Sequence, residues 1–172
     1  MEAIVECMSE NLDAVSRIQA AWRRERPDVD VAPQGVIGRL HRLSDFIATE
    51  LGTVFEAHGI SQGEFDVLAS LRRAGAPYER TPSELAEHTM VTTGATTKRI
   101  DRLVDSGLIE RRAAEGDGRR RIIALTAKGL RVVDETFTDH MKNEHRIVAE
   151  LSSDDRAQLE AILIRWLGRF ES

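Results

Sequence analysis

Residues 81–126 constrain the fold more than any other stretch of the chain. The segment TPSELAEHTMVTTGATTKRIDRLVDSGLIERRAAEGDGRRRIIALT holds two short helical patterns, a break between them, and two strand-like runs around glycines. Thr81 stands where an N-cap belongs, Pro82 at the first helical position, and Glu84 where a capping box needs its acid. Beyond Met90 and Val91, Thr92 or Thr93 caps a second helix whose inward residues are Ile100, Leu103 and Val104. Gly107 ends that helix in the left-handed conformation that only glycine adopts cheaply. Leu108 to Arg112 and Arg120 to Leu125 then flank AAEGDGR, where Gly116 and Gly118 permit a tight reversal.

Helix, turn, helix and a hairpin loaded with arginine is the order of a winged helix-turn-helix. The expected fold is therefore mainly α, with one β-hairpin wing. Such an arrangement delivers a helix N-terminus to a DNA major groove and an arginine tip beside it. The net charge of −5 looks unsuited to a polyanionic partner, but it averages two unlike regions. Between Thr92 and Arg131 ten Lys or Arg face five Asp or Glu, a local balance of +5 that leaves −10 for the remainder. Nucleic acid responds to the local field, and an acidic remainder orients the protein on it. Thr92, Thr93, Thr96, Thr97 and Lys98 crowd the start of the second helix, with Arg102 farther along. Hydroxyls and amides at a helix start suit phosphates and base edges. Arg119 at the wing tip suits a narrow A·T-rich minor groove, with Asp117 as its orienting partner and Arg121 behind it. Read without function, the threonines cap and solvate a helix and the arginines decorate a hairpin edge.

The rest of the chain reads as helix. Leu12, Val15, Ile18 and Trp22 recur at helical spacing in a first helix that stops before Pro27, and PDVDVAP is a connector. A second helix runs from Val36 to about Phe55. Gly59 breaks it, and Ser61 with Glu64 opens a third, with Phe65, Leu68 and Leu71 inward. After the hairpin, Thr126 caps a long helix carrying Leu130, Val133, Phe137, Met141 and Val148. Ser152 and Asp155 form another box before a last helix with Leu159, Ile162, Leu163, Trp166, Leu167 and Phe170. Those apolar positions outnumber what one small lobe can cover, so both ends of the chain are expected to form a dimer interface. We expect one domain over 1–172, with dimerisation helices at 1–58 and 127–172 and the winged lobe at 59–126. No apolar run approaches a membrane span, no secretory signal is evident, and the lone Cys7 forms no internal disulfide. These three features together point to the cytoplasm.

In this order and in its motifs the chain resembles the MarR family of winged-helix regulators. The residues that carry the resemblance are TTGATTKRIDRLVDSGLI, the wing element Asp117-Gly118-Arg119-Arg120 and the following LTAKG. It implies a homodimeric regulator, expected to be a repressor, on a double-stranded, pseudo-palindromic operator. The N-terminal extension RIQAAWRRERPDVDVAPQGVIGRLHRL further resembles the urate-responsive branch. That branch's ligand residues correspond here to Trp22, Asp66, Arg99 and Arg111. The implied ligand is urate or a related anionic purine. Paired guanidinium groups suit a planar anion, and Trp22 adds an aromatic surface. Asp66 is expected to pair with an arginine until the anion displaces it; because Arg99 lies on the reading helix, the exchange would move that helix.

Other readings remain open at this point. Trp22 continues an apolar stripe, so spacing alone assigns it to core packing. Asp66 with Arg99 is equally an ordinary ion pair, and Arg111 a phosphate contact. Related regulators answer to carboxylates, phenolics or cysteine oxidation, but Cys7 has no cationic neighbours in sequence to activate it. His41, His58, His88, His140 and His145 lack metal-site spacing, so no metal or cofactor is expected. A protein-docking winged helix would not need five hairpin arginines. No phosphate-binding glycine loop, dinucleotide fingerprint or nucleophile–base set is present, and no catalytic residues are assigned.

Overall fold

The structure, a computed structural model, describes residues 13–88, 93–114 and 117–171, without the side chains of 88, 93–96, 114 and 117–120. Cys7, Leu12, Met90, Val91, Thr92 and Gly116 lie outside these residues. The chain divides into two units, Met1–Thr49 and Glu50–Ser172. This division falls inside a helix.

In the first unit, α1 (Ala14–Glu25) packs beside the first part of α2 (Gln34–Ala57). Asp13 caps α1, accepting the Ser16 N–H at 2.8 Å, and also accepts from Arg39 Nε at 2.7 Å. The backbone N–H and the guanidinium hold its carboxyl down to about 2. Close approach is possible because α2 presents glycines. A β-carbon on Gly38 would stand 3.1 Å from Val15 and one on Gly35 3.2 Å from Gln19. The inward face of α1 differs from the apolar stripe. Val15 and Gln19 are buried, whereas Ile18 and Trp22 are exposed, Trp22 to 49%. The Gln19 amide takes the inner position because it donates to Val31 O of the connector at 2.8 Å, satisfying a carbonyl that no apolar residue could.

The second unit is built around α3 (Gln62–Arg73). Its Ser61–Glu64 capping box is complete, with Glu64 N–H on Ser61 Oγ and Ser61 N–H on Glu64 Oε2. Val67, Leu68 and Leu71 are fully buried against Leu85 of α4 (Pro82–His88) and Ile100 and Leu103 of α5 (Thr93–Asp105). Thr81 and Glu84 cap α4 reciprocally, as expected.

β1 (Glu79–Arg80), β2 (Ile109–Ala114) and β3 (Asp117–Leu125) form an antiparallel sheet in the order β1-β3-β2. The wing strands reach farther toward the tip than the expected 108–112 and 120–125, with a register shift between Ala113 and Ala114. β1 has no counterpart among the expected elements. Two residues carry no periodicity, and only their pairing with Ala124 and Ile123 reveals them.

The LTAKG segment locks the far end of α5. Gly107 takes φ +69° as its terminator. Thr126 Oγ1 donates to Gly107 O at 2.8 Å, while accepting the Gly129 N–H at 3.0 Å as the cap of α6 (Ala127–Ile147). Lys128 Nζ donates to Ser106 O at 2.8 Å, a cation on the carbonyl end of α5. Gly129 is obligatory here, since a β-carbon would overlap the Leu108 carbonyl oxygen. Farther along, α6 is tied to the end of α2 by His58–Asp139 at 3.1 Å, by Asn143 Nδ2 on Glu50 O at 3.0 Å, and by the Arg146–Glu50 pair. Of the apolar residues the sequence places on it, Val133 is buried, beside Thr136, while Phe137 is exposed. The last helix, α7 (Ser153–Leu167), is capped by Ser152 and has no buried residue at all. Among the described residues no helix is long and apolar enough to cross a membrane.

Candidate nucleic-acid interface and ligand site

The second helix of the helix-turn-helix pair, α5, offers two faces. Ile100 and Leu103 anchor it to α3, which turns Lys98 and Arg102 outward together with Thr97. Among the described residues neither Lys98 nor Arg102 is ion-paired, and the same holds for Arg121, exposed on β3 opposite Ala113. Unpaired surface cations on a helix and an adjacent strand are what a phosphate backbone recruits. Thr92 lies outside the described residues, as do the side chains of Thr93, Thr96, Asp117 and Arg119.

Two wing arginines are held by carboxylates. Arg111 Nη2 donates to Asp101 Oδ1 of α5 at 2.5 Å, and Arg112 pairs with Glu79 of β1. Arg111, expected at a ligand, thus ties the base of the wing to the helix beside it. The i and i+10 spacing of Asp101 and Arg111 spans the helix end and turn, and no local pattern couples residues that far apart.

Arg99 behaves differently from Lys98 and Arg102. It is partly buried, its guanidinium lies over Gly63 in the first turn of α3, and its Nη1 is buried with no hydrogen-bond partner. A cation at the positive end of a helix, with an unsatisfied N–H, is an electrostatic deficit. Asp66, one turn along α3, is half-buried, and that burial pushes its carboxyl above the usual range. Arg99, Arg73 and His140 oppose the shift from a distance. The structure corrects one expectation here: among the described residues Asp66 makes no ion pair with an arginine and feels Arg99 only through space. Burial disfavours the Asp66 carboxylate, and the charges of Arg99, Arg73 and His140 offset only part of that penalty from a distance.

His140 sits against both rings of the stacked Phe55–Phe65 pair, with centroids 5.3 and 5.4 Å away. Its Nε2 is 3.1 Å from Glu144, and its Nδ1 is buried without a partner. Sequence reading misses His140 because a lone histidine on a helix has no pattern. It misses Gly63 as well, although an isolated glycine in a helical segment is a signal of close approach. Trp22 belongs to the first unit, where with Arg26, Val29, Val31, Pro33 and Gln34 it lines an open cavity of about 350 Å³. No group of residues suited to a metal ion occurs among those described.

Helix-turn-helix, three-stranded wing and a reading helix with free cations define a DNA-binding winged-helix protein. The MarR family model matches residues 58–120. The transcriptional regulator PecS of Dickeya dadantii is 41% identical over 151 residues, covering 88% of this chain and 91% of PecS. The multiple antibiotic resistance protein MarR of Salmonella typhimurium is 33% identical over 105 residues, 60% of this chain and 71% of its own. Among solved structures, a cysteine-to-serine mutant of E. coli MarR in complex with operator DNA superposes with a TM-score of 0.66 at 26% identity, covering 85% of this chain and 97% of that one. The chain belongs to the MarR family: it is a DNA-binding transcriptional regulator and not an enzyme.

Proposed function

We propose that this regulator is a cytoplasmic homodimeric repressor, released from its operator by urate or a similar small anionic aromatic ligand. Its operator is a pseudo-palindrome with half-sites about one turn, ~10 bp, apart. Thr92, Thr93, Thr96, Thr97, Lys98 and Arg102 enter the major groove, and Arg119 with Arg121 flanks it. The dimer uses the helices at both ends of the chain, in keeping with the exposed Ile162, Leu163, Ile164 and Leu167 of α7.

One observation carries the ligand reading. A reading-helix arginine is turned inward, with an unpartnered buried N–H, beside a carboxyl already raised by burial. An anion bound there completes Arg99 and drives Asp66 to take up a proton. The resemblance adds Trp22 and Arg111 to the site; for Arg111 to join, its pair with Asp101 must open. Because the anion binds one position of α5 better than another, it shifts that helix away from its DNA spacing. A fivefold to 150-fold loss of DNA affinity needs only ~1–3 kcal/mol of coupling.

Urate titration followed by the fluorescence of Trp22 and Trp166 tests this reading, with Trp22→Phe as control. Saturable quenching that disappears in Trp22→Phe is expected. Absence of any saturable signal would return the ligand to the carboxylates and phenolics or the switch to Cys7 oxidation, with DNA binding untouched.

A further inference from the structure

We propose that Gly63 is the positioning residue for Arg99: the absent side chain of the second residue of α3 is the seat of the guanidinium. A β-carbon on Gly63 would overlap Cζ, Nε and Nη2 of Arg99 together, so the whole planar group lies against the bare Cα. The backbone of Gly63 does not need glycine, since its φ is not in the left-handed region that Gly59, Gly75 and Gly107 occupy. Alanine is the better helix former, and space rather than conformation is what the glycine supplies.

The same geometry makes the seat testable. The atoms that a Gly63 side chain would strike are the far end of a flexible side chain. At Gly129 the obstacle is instead the Leu108 backbone carbonyl. Gly63→Ala is therefore accommodated by evicting the guanidinium, leaving the helix in place. The seat stands on this geometry alone; its consequence for the ligand response rests on the proposed reading of Arg99 as an anion-binding group.

The experiment is phenylglyoxal modification of the full-length protein, read at Arg99 by peptide mass spectrometry, with exposed Arg102 as the internal reference. Gly63→Ala is expected to raise the Arg99 rate several-fold relative to Arg102. An unchanged ratio overturns the seat. Thermal melts of Gly63→Ala, Arg99→Ala and the double variant give a second readout that survives a poorly folded single variant. Alanine at 63 is expected to stabilise the protein when Arg99 is absent and to lose that gain when it is present. Equal effects in both backgrounds also overturn the proposal. A urate titration separates the two readings: Gly63→Ala should lose the response to the same extent as Arg99→Ala, and the double variant should lose no more. Faster labelling with an intact urate response would remove Arg99 from the ligand site and leave the seat standing.

Discussion

The winged lobe and the last helix use similar apolar residues to opposite ends. In the lobe, Leu68, Leu71, Leu85, Leu103, Ile109 and Ile123 are each closed off by other parts of the same chain. In α7, Leu159, Ile162, Leu163, Ile164 and Leu167 are all exposed, with Phe170 just beyond at 76%. The part that reads DNA is finished by one chain, whereas the terminal helix is not. An apolar face of that extent on one helix is the mark of an interface.

Deleting matching side chains on each side of this contrast produces the largest expected effects. Leu68→Ala should cost about 2–5 kcal/mol in thermal or denaturant unfolding, because the cavity opens in a core with no spare partners. Leu163→Asp should leave the lobe's core intact and instead weaken the dimer by about 2 kcal/mol, roughly thirtyfold in Kd by sedimentation. If Leu163→Asp unfolded the lobe or left association unchanged, α7 would not be the unfinished surface.

A smaller effect probes the junction of wing and helix. Asp101→Ala removes the partner of Arg111, a half-exposed pair whose contribution to stability stays within ~1 kcal/mol. If freed Arg111 joins the ligand, urate should bind up to roughly fivefold more tightly; unchanged or weaker binding would keep Arg111 on the wing. The least effect at neutral pH concerns Asp66. Its folded pKa is raised, so its contribution to stability is full below the ordinary carboxylate value and is lost as pH rises through the folded one. Asp66→Asn should therefore raise stability at neutral pH. It should also flatten the tightening of anion binding that the native protein shows as pH falls toward the carboxylate range.

Much of the reading lobe is legible in the sequence because its signals are local. Thr81 and Glu84, Ser61 and Glu64, and Gly107 each fix a helix end within four residues, and all three sit as the chain predicts. Legibility fails where one residue's role depends on a distant one. The stripe through Ile18 and Trp22 gives way to Gln19 because a carbonyl twelve residues on needs a donor. Arg111 looks free for a ligand until β2 places it on Asp101. Arg99 is legible as a residue of the reading helix, but only the packing of α5 on α3 shows that it rests on Gly63. The apolar excess from which a dimer face is proposed is visible in the sequence, and on α7 it remains exposed in the single chain.

The decisive experiment is urate titration of the preformed complex with operator DNA, comparing the native protein with Arg99→Ala. Urate should release the native protein and leave the Arg99→Ala complex bound. Release of both with the same urate dependence would contradict the proposed switch, because the inward-turned arginine of the reading helix would then have no part in it.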